Sequence, residues 1–126
     1  SYEVCTTCHG SATIASNSVV FLSGYITSQI QQVKASLDLW ATTKAPEPLR
    51  TKYGALAWEY STPGDLSVGD SGPNATEQGQ IPNNIKKARF DLYLVFNDGS
   101  FGVHNGPYAI TLLETARNWV QEELNN

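Results

Sequence analysis

Along the first third of the chain, apolar residues recur at Val19, Leu22, Ile26, Ile30, Val33, Leu37 and Trp40. Steps of three and four residues trace one face of an α-helix. Gln29, Gln31, Gln32, Lys34 and Asp38 fill the other faces. Gly24 interrupts the pattern at a cost of about 1 kcal/mol relative to alanine, so it marks a candidate start for this helix. Ala45-Pro46-Glu47-Pro48 ends it, because each proline disfavours helical geometry at the residue ahead of it.

A shorter helical segment follows, with Leu49, Tyr53, Leu56 and Tyr60 on one side and Trp58 nearby. From Ser61 to Pro82 the chain is rich in Gly, Pro, Ser, Asp and Asn and loses its periodicity, which predicts a long loop over about 61–82 with Leu66 and Val68 able to pin its middle. Asn83 or Asn84 is placed to cap a helix carrying Ile85, Ala88, Leu92 and Val95. Phe90 to Phe96 is nearly continuous apolar sequence that suits a strand, but the stripe running in from Ile85 favours helix. Asn97-Asp98-Gly99-Ser100 reads as a turn. A last helix spans about Gly106 to Leu124, with Asn105 as cap, Pro107 in its first turn, and Ala109, Leu113, Ala116, Val120 and Leu124 as its buried stripe.

The pattern predicts one mainly α domain over 1–126: three long helices and one short helix with a long Gly/Pro/Ser-rich loop. At 126 residues it is large enough for a modest core and small enough to gain from an apolar cofactor. No apolar run approaches the roughly 20 residues a membrane-spanning helix needs. The net charge of −4 argues against nucleic acid or an anionic membrane as partner, since both call for a basic face. Asn74-Ala75-Thr76 is formally an N-glycosylation triplet, a pattern common by chance.

The candidate chemistry lies at the start of the chain. Cys5-Thr6-Thr7-Cys8-His9 contains the only two cysteines and one of the two histidines. C-x-x-C-H is the attachment signature of c-type haem. Each thiol adds across one vinyl group, and the histidine reaches the iron from the proximal side. The competing readings are a redox dithiol, a short disulfide and a zinc site. A thioredoxin-type dithiol sits after a strand, and none precedes Cys5. Two Cys and two His form a zinc ligand set, but the adjacent Cys8 and His9 suit one tetrahedral ion poorly. One covalent haem c, held by Cys5, Cys8 and His9, is the expectation, and the four-helix domain is then expected to pack around it.

The sixth iron ligand follows from the inventory. There is no methionine, and Lys34, Lys44, Lys52, Lys86 and Lys87 all stand in solvated contexts, which leaves His104 or water. His104 lies between Gly102 and a helix start. Glycine lets the backbone approach a porphyrin closely, and the helix cap directs the ring. His9 and His104 are the expected iron ligands. Arg50, Arg89 and Arg117 are candidate partners for the propionates, with none singled out, and Trp40, Trp58 and Trp119 are expected in the core.

Asn84-Ile85-Lys86-Lys87-Ala88-Arg89-Phe90, Asn97-Asp98-Gly99-Ser100-Phe101-Gly102-Val103-His104-Asn105 and Tyr108-Ala109 together carry a family resemblance. This stretch resembles the C-terminal part of bacterial multihaem cytochromes c, including the ammonia-forming cytochrome c nitrite reductases and related octahaem and doubled C-x-x-C-H proteins. There a G-x-H-N or F-H-N-P segment supplies a distal haem ligand just before a long C-terminal helix. The resemblance implies that role for His104, with Asn105 matching the asparagine after it. Gly106 stands where many relatives have proline, and Pro107 follows one place later. In relatives the distal histidine often serves a haem bound elsewhere in the chain, so the resemblance allows either this chain's iron or a neighbour's. No C-x-x-C-K exists here and there is a single haem motif, so the catalysis of the reductases does not carry over.

Bis-histidine iron exchanges electrons but offers no open position to a substrate. Electron transfer to redox partner proteins, without catalysis, is therefore expected, as a monohaem cytochrome or the terminal module of a multihaem chain. The alternatives are a haem enzyme with a displaceable sixth ligand, acting as a peroxidase or nitrogen-oxide reductase, and a subunit of an extracellular haem filament associating with other haem-bearing subunits. Haem c is attached on the outer side of an energised membrane, and a chain opening at Ser1 without Met reads as processed or excised, so a periplasmic or extracellular location is expected.

Overall fold

The structure, a computed structural model, describes residues 12–67, 69, 71–98 and 106–126, with side chains from residue 24 onward. Every regular element among them is helical. In chain order these are α1 (Ala12–Thr43), α2 (Leu49–Tyr53), a 3-10 turn (Gly54–Trp58), a second 3-10 turn (Glu77–Gln80), α3 (Asn83–Phe96) and α4 (Gly106–Asn125). The three long helices and one short helix match the sequence pattern. None of them is long and apolar enough to cross a membrane.

α1 presents Ile26, Ile30, Val33, Leu37 and Trp40 to the core, all at most 2% exposed. Ile85, Ala88, Leu92 and Val95 of α3 and Ala109, Leu113, Ala116 and Val120 of α4 meet them. Burying a Leu or Ile side chain contributes roughly 1.5–3 kcal/mol, so these stripes are the main stabilising element. Ala88, Ala109 and Ala116 are small, which lets helices approach closely, and α3 makes its most extensive contact with α4.

Two long-range bonds set the direction of α4 against α1. Arg117 Nη1 donates to Gln29 Oε1 at 3.1 Å, and Lys44 Nζ donates to the Asn126 carbonyl at 3.0 Å. Early meets early and late meets late, so the two helices run parallel. Asn84 Nδ2, near the start of α3, donates to Glu122 Oε2 and Glu123 Oε2, each at 2.9 Å, so α3 runs antiparallel to α4. The N-termini of α1 and α4 and the C-terminus of α3 thus share one end of the bundle.

Local details differ from the pattern-based reading. α1 runs straight through Gly24, which is exposed and has open space where a side chain would stand. Flanking helix and the packing of Ile26 and Ile30 outweigh its cost of about 1 kcal/mol. The segment after Leu49 is α-helical only to Tyr53 and then tightens into a 3-10 turn. The change of period turns Ala57 and Trp58 inward, while Tyr53, Leu56 and Tyr60 are only partly buried. Pro82, not an asparagine, occupies the cap position of α3, and Asn84 bonds to the end of α4 instead. Phe90 to Phe96 is helical.

The loop after Trp58 is more ordered in its hydrogen bonding than its composition suggested. Asn74 and Glu77 bond reciprocally: the Glu77 N–H donates to Asn74 Oδ1 at 2.9 Å and the Asn74 N–H to Glu77 Oε1 at 3.0 Å. This reciprocal pairing has the form of a capping box and precedes the second 3-10 turn, whose own cap position is Thr76. Leu66 packs on the core as expected, and Val68 lies outside the described residues.

Candidate functional site

Cys5, Cys8, His9 and His104, the expected haem ligands, lie outside the described residues, as does the cap Asn105. Their tethers are described: His9 precedes the start of α1 by three residues and His104 that of α4 by two. At a chain reach of at most about 3.6 Å per residue, His9 stays within roughly 11 Å of Ala12 and His104 within roughly 7 Å of Gly106. Seventeen residues of α1 separate Ala12 from Gln29, about 25 Å of rise, and eleven residues of α4 separate Gly106 from Arg117, about 17 Å. With Gln29 and Arg117 level, α1 extends past α4 by about 9 Å, and packed helices lie about 8–10 Å apart. The two tethers together span that separation. Chain length alone therefore does not keep the two histidines apart.

At the same end of the bundle, Leu94, Val95, Asp98, Tyr108, Ala109 and Leu112 line an open groove of about 310 Å³ between α3 and α4. Leu94 is 45% exposed, Tyr108 61%, and Phe90, one turn before Leu94, 66%. A soluble surface rarely gathers large apolar side chains in this way without something to cover them. Their chemistry fits an apolar macrocycle, which needs such a lining to exclude water. Leu94, Tyr108 and Leu112 are the described side chains suited to that contact.

The three candidate propionate partners are otherwise engaged. Arg50 donates to Glu47 Oε1 at 2.8 Å and to the Thr43 carbonyl at 2.8 Å. Arg117 holds Gln29. Arg89 Nε donates to Glu59 Oε1 at 2.7 Å, and its guanidinium lies 3.7 Å from the Tyr60 ring centroid and 4.6 Å from that of Tyr93. Trp40 and Trp58 are buried as expected, and the Trp58 Nε1–H donates to Asp38 Oδ1 at 2.8 Å. Trp119 is only partly buried, with the Lys87 ammonium 4.5 Å from its ring centroid.

Glu59 is the polar centre that sequence reasoning missed. It is fully buried, and besides Arg89 it accepts from the Tyr93 OH at 2.6 Å on Oε2. Burial and the hydrogen bond to Glu59 hold the Tyr93 phenol well above its ordinary pKa. The loop closes over this group. A side chain at Gly64 would overlap the Tyr93 ring, and one at Gly72 would approach the Leu56 and Tyr60 carbonyls to within 2.9 Å. Glycine is required at both points for the loop to lie so close. No periodic signal links Glu59 to partners 30 and 34 residues away. The one available hint was two closely spaced glycine-containing turns after an acidic residue.

Comparison with protein-family profiles, curated proteins and solved structures returns no match to this chain.

Proposed function

We propose that this chain is an electron-transfer module carrying one covalent haem c, attached through Cys5 and Cys8, with His9 and His104 as axial ligands. The observation that supports the reading is the parallel pairing of α1 and α4, whose N-termini, the chain neighbours of the C-x-x-C-H segment and of His104, share one end of the bundle. Such a haem supplies a one-electron couple, and two imidazole ligands leave no position open and favour a potential below that of His/Met haems. The chain's own part is to tether both imidazoles and to keep water from one edge of the site with Leu94, Tyr108 and Leu112. The module exchanges electrons with redox partner proteins and works in the periplasm or outside the cell, where haem c is attached. A net charge of −4 suits a partner with a positive patch better than nucleic acid.

The exposed Phe90, Leu94 and Tyr108 favour a second role beside the first, association with other haem-bearing subunits. The deciding experiment is denaturing mass spectrometry joined to a visible spectrum of the purified protein. One added haem and a low-spin spectrum are expected. A chain at its unmodified mass overturns the proposal.

A further inference from the structure

Asn74-Ala75-Thr76 has the acceptor pattern Asn-x-Ser/Thr, with a middle residue other than proline. The triplet by itself is common by chance, and its setting is what distinguishes it. All three residues are exposed, while Gly72 and Pro73 just before them are buried. The chain is thus anchored on its inner side and offers the triplet to solvent. Asn74 is held by three bonds that leave its side-chain nitrogen out. Its N–H donates to Glu77 Oε1, its main-chain carbonyl accepts from the Gln78 N–H at 2.8 Å, and Oδ1 accepts from the Glu77 N–H. Among the described residues nothing bonds Asn74 Nδ2 or the Thr76 hydroxyl. A substituted amide keeps its oxygen, so the bond from the Glu77 N–H survives a sugar on Nδ2.

The triplet also lies at the end of the bundle away from the proposed haem. Arg50 of α2 donates to the carbonyl of Thr43, the last residue of α1. Lys52 and Tyr53 of the same short helix hold Glu77, three residues after Asn74. The C-x-x-C-H segment precedes the opposite end of α1, a helix of 32 residues and about 48 Å.

We propose that Asn74 is a site of N-linked glycosylation. Export, as proposed above, is what brings the chain to its donor, and the site rests on that reading. The donor is an oligosaccharide carried on a polyprenyl phosphate or diphosphate, transferred by an enzyme of the membrane that an exported chain crosses. The step is balanced and involves no redox change. Asn74 Nδ2 forms a bond to the anomeric carbon, the bond from that carbon to the phosphate oxygen breaks, and the lipid phosphate leaves with its electron pair. One Nδ2 proton passes to a base of the transferase. A bulky solvated group here keeps the α2 end of the bundle from burying against another subunit. Docking is left to the end that carries Leu94 and Tyr108.

The test takes the full chain from the cells that make it naturally and weighs its tryptic peptides. The peptide Tyr53–Lys86 is expected to carry an oligosaccharide, with sugar fragment ions and the mass increment placed on Asn74. In the same cells Asn74→Gln and Thr76→Ala should each abolish the increment, and Thr76→Ser should retain it. A bare wild-type peptide overturns the proposal. So does an increment that persists in Asn74→Gln and disappears in Thr76→Ala, which would place the sugar on the threonine hydroxyl. The wild-type peptide decides the matter even if a variant fails to fold. The peptide Ser1–Lys34 from the same digest separates this site from the cofactor. Haem there beside a bare Tyr53–Lys86 overturns the glycan alone, whereas a glycan on Asn74 without haem supports this site and overturns the electron-transfer reading.

Discussion

Arg117 on α4 donates to Gln29 on α1 at 3.1 Å, although 88 residues separate them. Gln29 is only 7% exposed, so the bond satisfies a buried amide as well as joining two helices. Because Lys44 meets Asn126 further along, the helices run parallel rather than as an antiparallel pair. In a bundle of short connections neighbours tend to be antiparallel. Here α3 lies between α1 and α4 in the chain and takes the antiparallel course, which frees α1 and α4 to start at the same end.

That common end makes covalent haem attachment the first expectation to test. Mass spectrometry under denaturing conditions should give the chain plus one haem. Cys5→Ala with Cys8→Ala should give the bare chain mass and no haem absorption. The same double variant retaining haem colour through denaturation would show that the cofactor is held by other groups.

The second expectation concerns the buried ion pair. Removing one partner leaves the other desolvated and uncompensated, which costs about 3–5 kcal/mol. Glu59→Ala should fall near the lower end, since Arg89 keeps 15% of its side chain exposed and can recover some hydration. A double variant with Glu59→Leu and Arg89→Met should regain much of the loss, because the unpaired charge is gone. Urea unfolding of the two single variants and the double variant checks this. Losses that simply add would show that the two groups act independently.

The stripes on α1, α3 and α4 were readable because burial forces a period that sequence displays: Ile26 to Trp40, Ile85 to Val95 and Ala109 to Val120 are all inward. Glu59, Arg89 and Tyr93 were not, since each reads locally as a surface residue and only the folded loop brings them together. Asn74-Ala75-Thr76-Glu77 carries a capping-type signature, although its first three residues also spell a glycosylation triplet. The 3-10 turn at Gly54–Trp58 was missed because a single α-helical period was extended through it. For the haem site, motif and ligand inventory point to Cys5, Cys8, His9 and His104, while the helix directions that could bring both ends together leave no mark in sequence.

Glu77 provides a pH-dependent expectation. Hydrogen bonds from Tyr53 and Lys52 and from the Asn74 N–H lower its pKa from 4.5 to about 2. The unfolded chain therefore takes up this proton at a higher pH than the folded chain. The stabilisation is fully present above about pH 4.5 and is lost as pH falls towards 2. Stability measured across this window should decline more steeply in the wild type than in Glu77→Gln. Parallel curves for the two proteins would mean that the loop contacts of Glu77 contribute nothing to folding.

The last expectation concerns His104. With no methionine in the chain and the start of α4 at the same end of the bundle as that of α1, His104 is the group we propose as the second axial ligand of the haem. Replacing it with alanine should leave the thioether attachment intact, so the mass still includes haem. The spectrum should gain a high-spin component, and carbon monoxide should bind the reduced variant readily, whereas it should bind the wild type poorly because both axial positions are taken. The potential should rise as one strong ligand is lost. The helix itself should survive, because the stripe from Ala109 to Val120 remains buried. The wild type should pass electrons to an electrode or a partner cytochrome and should not turn over nitrite, hydroxylamine or peroxide. A variant with an unchanged low-spin spectrum would assign the sixth position to another group. Steady turnover by the low-spin wild type would replace the electron carrier with an enzyme.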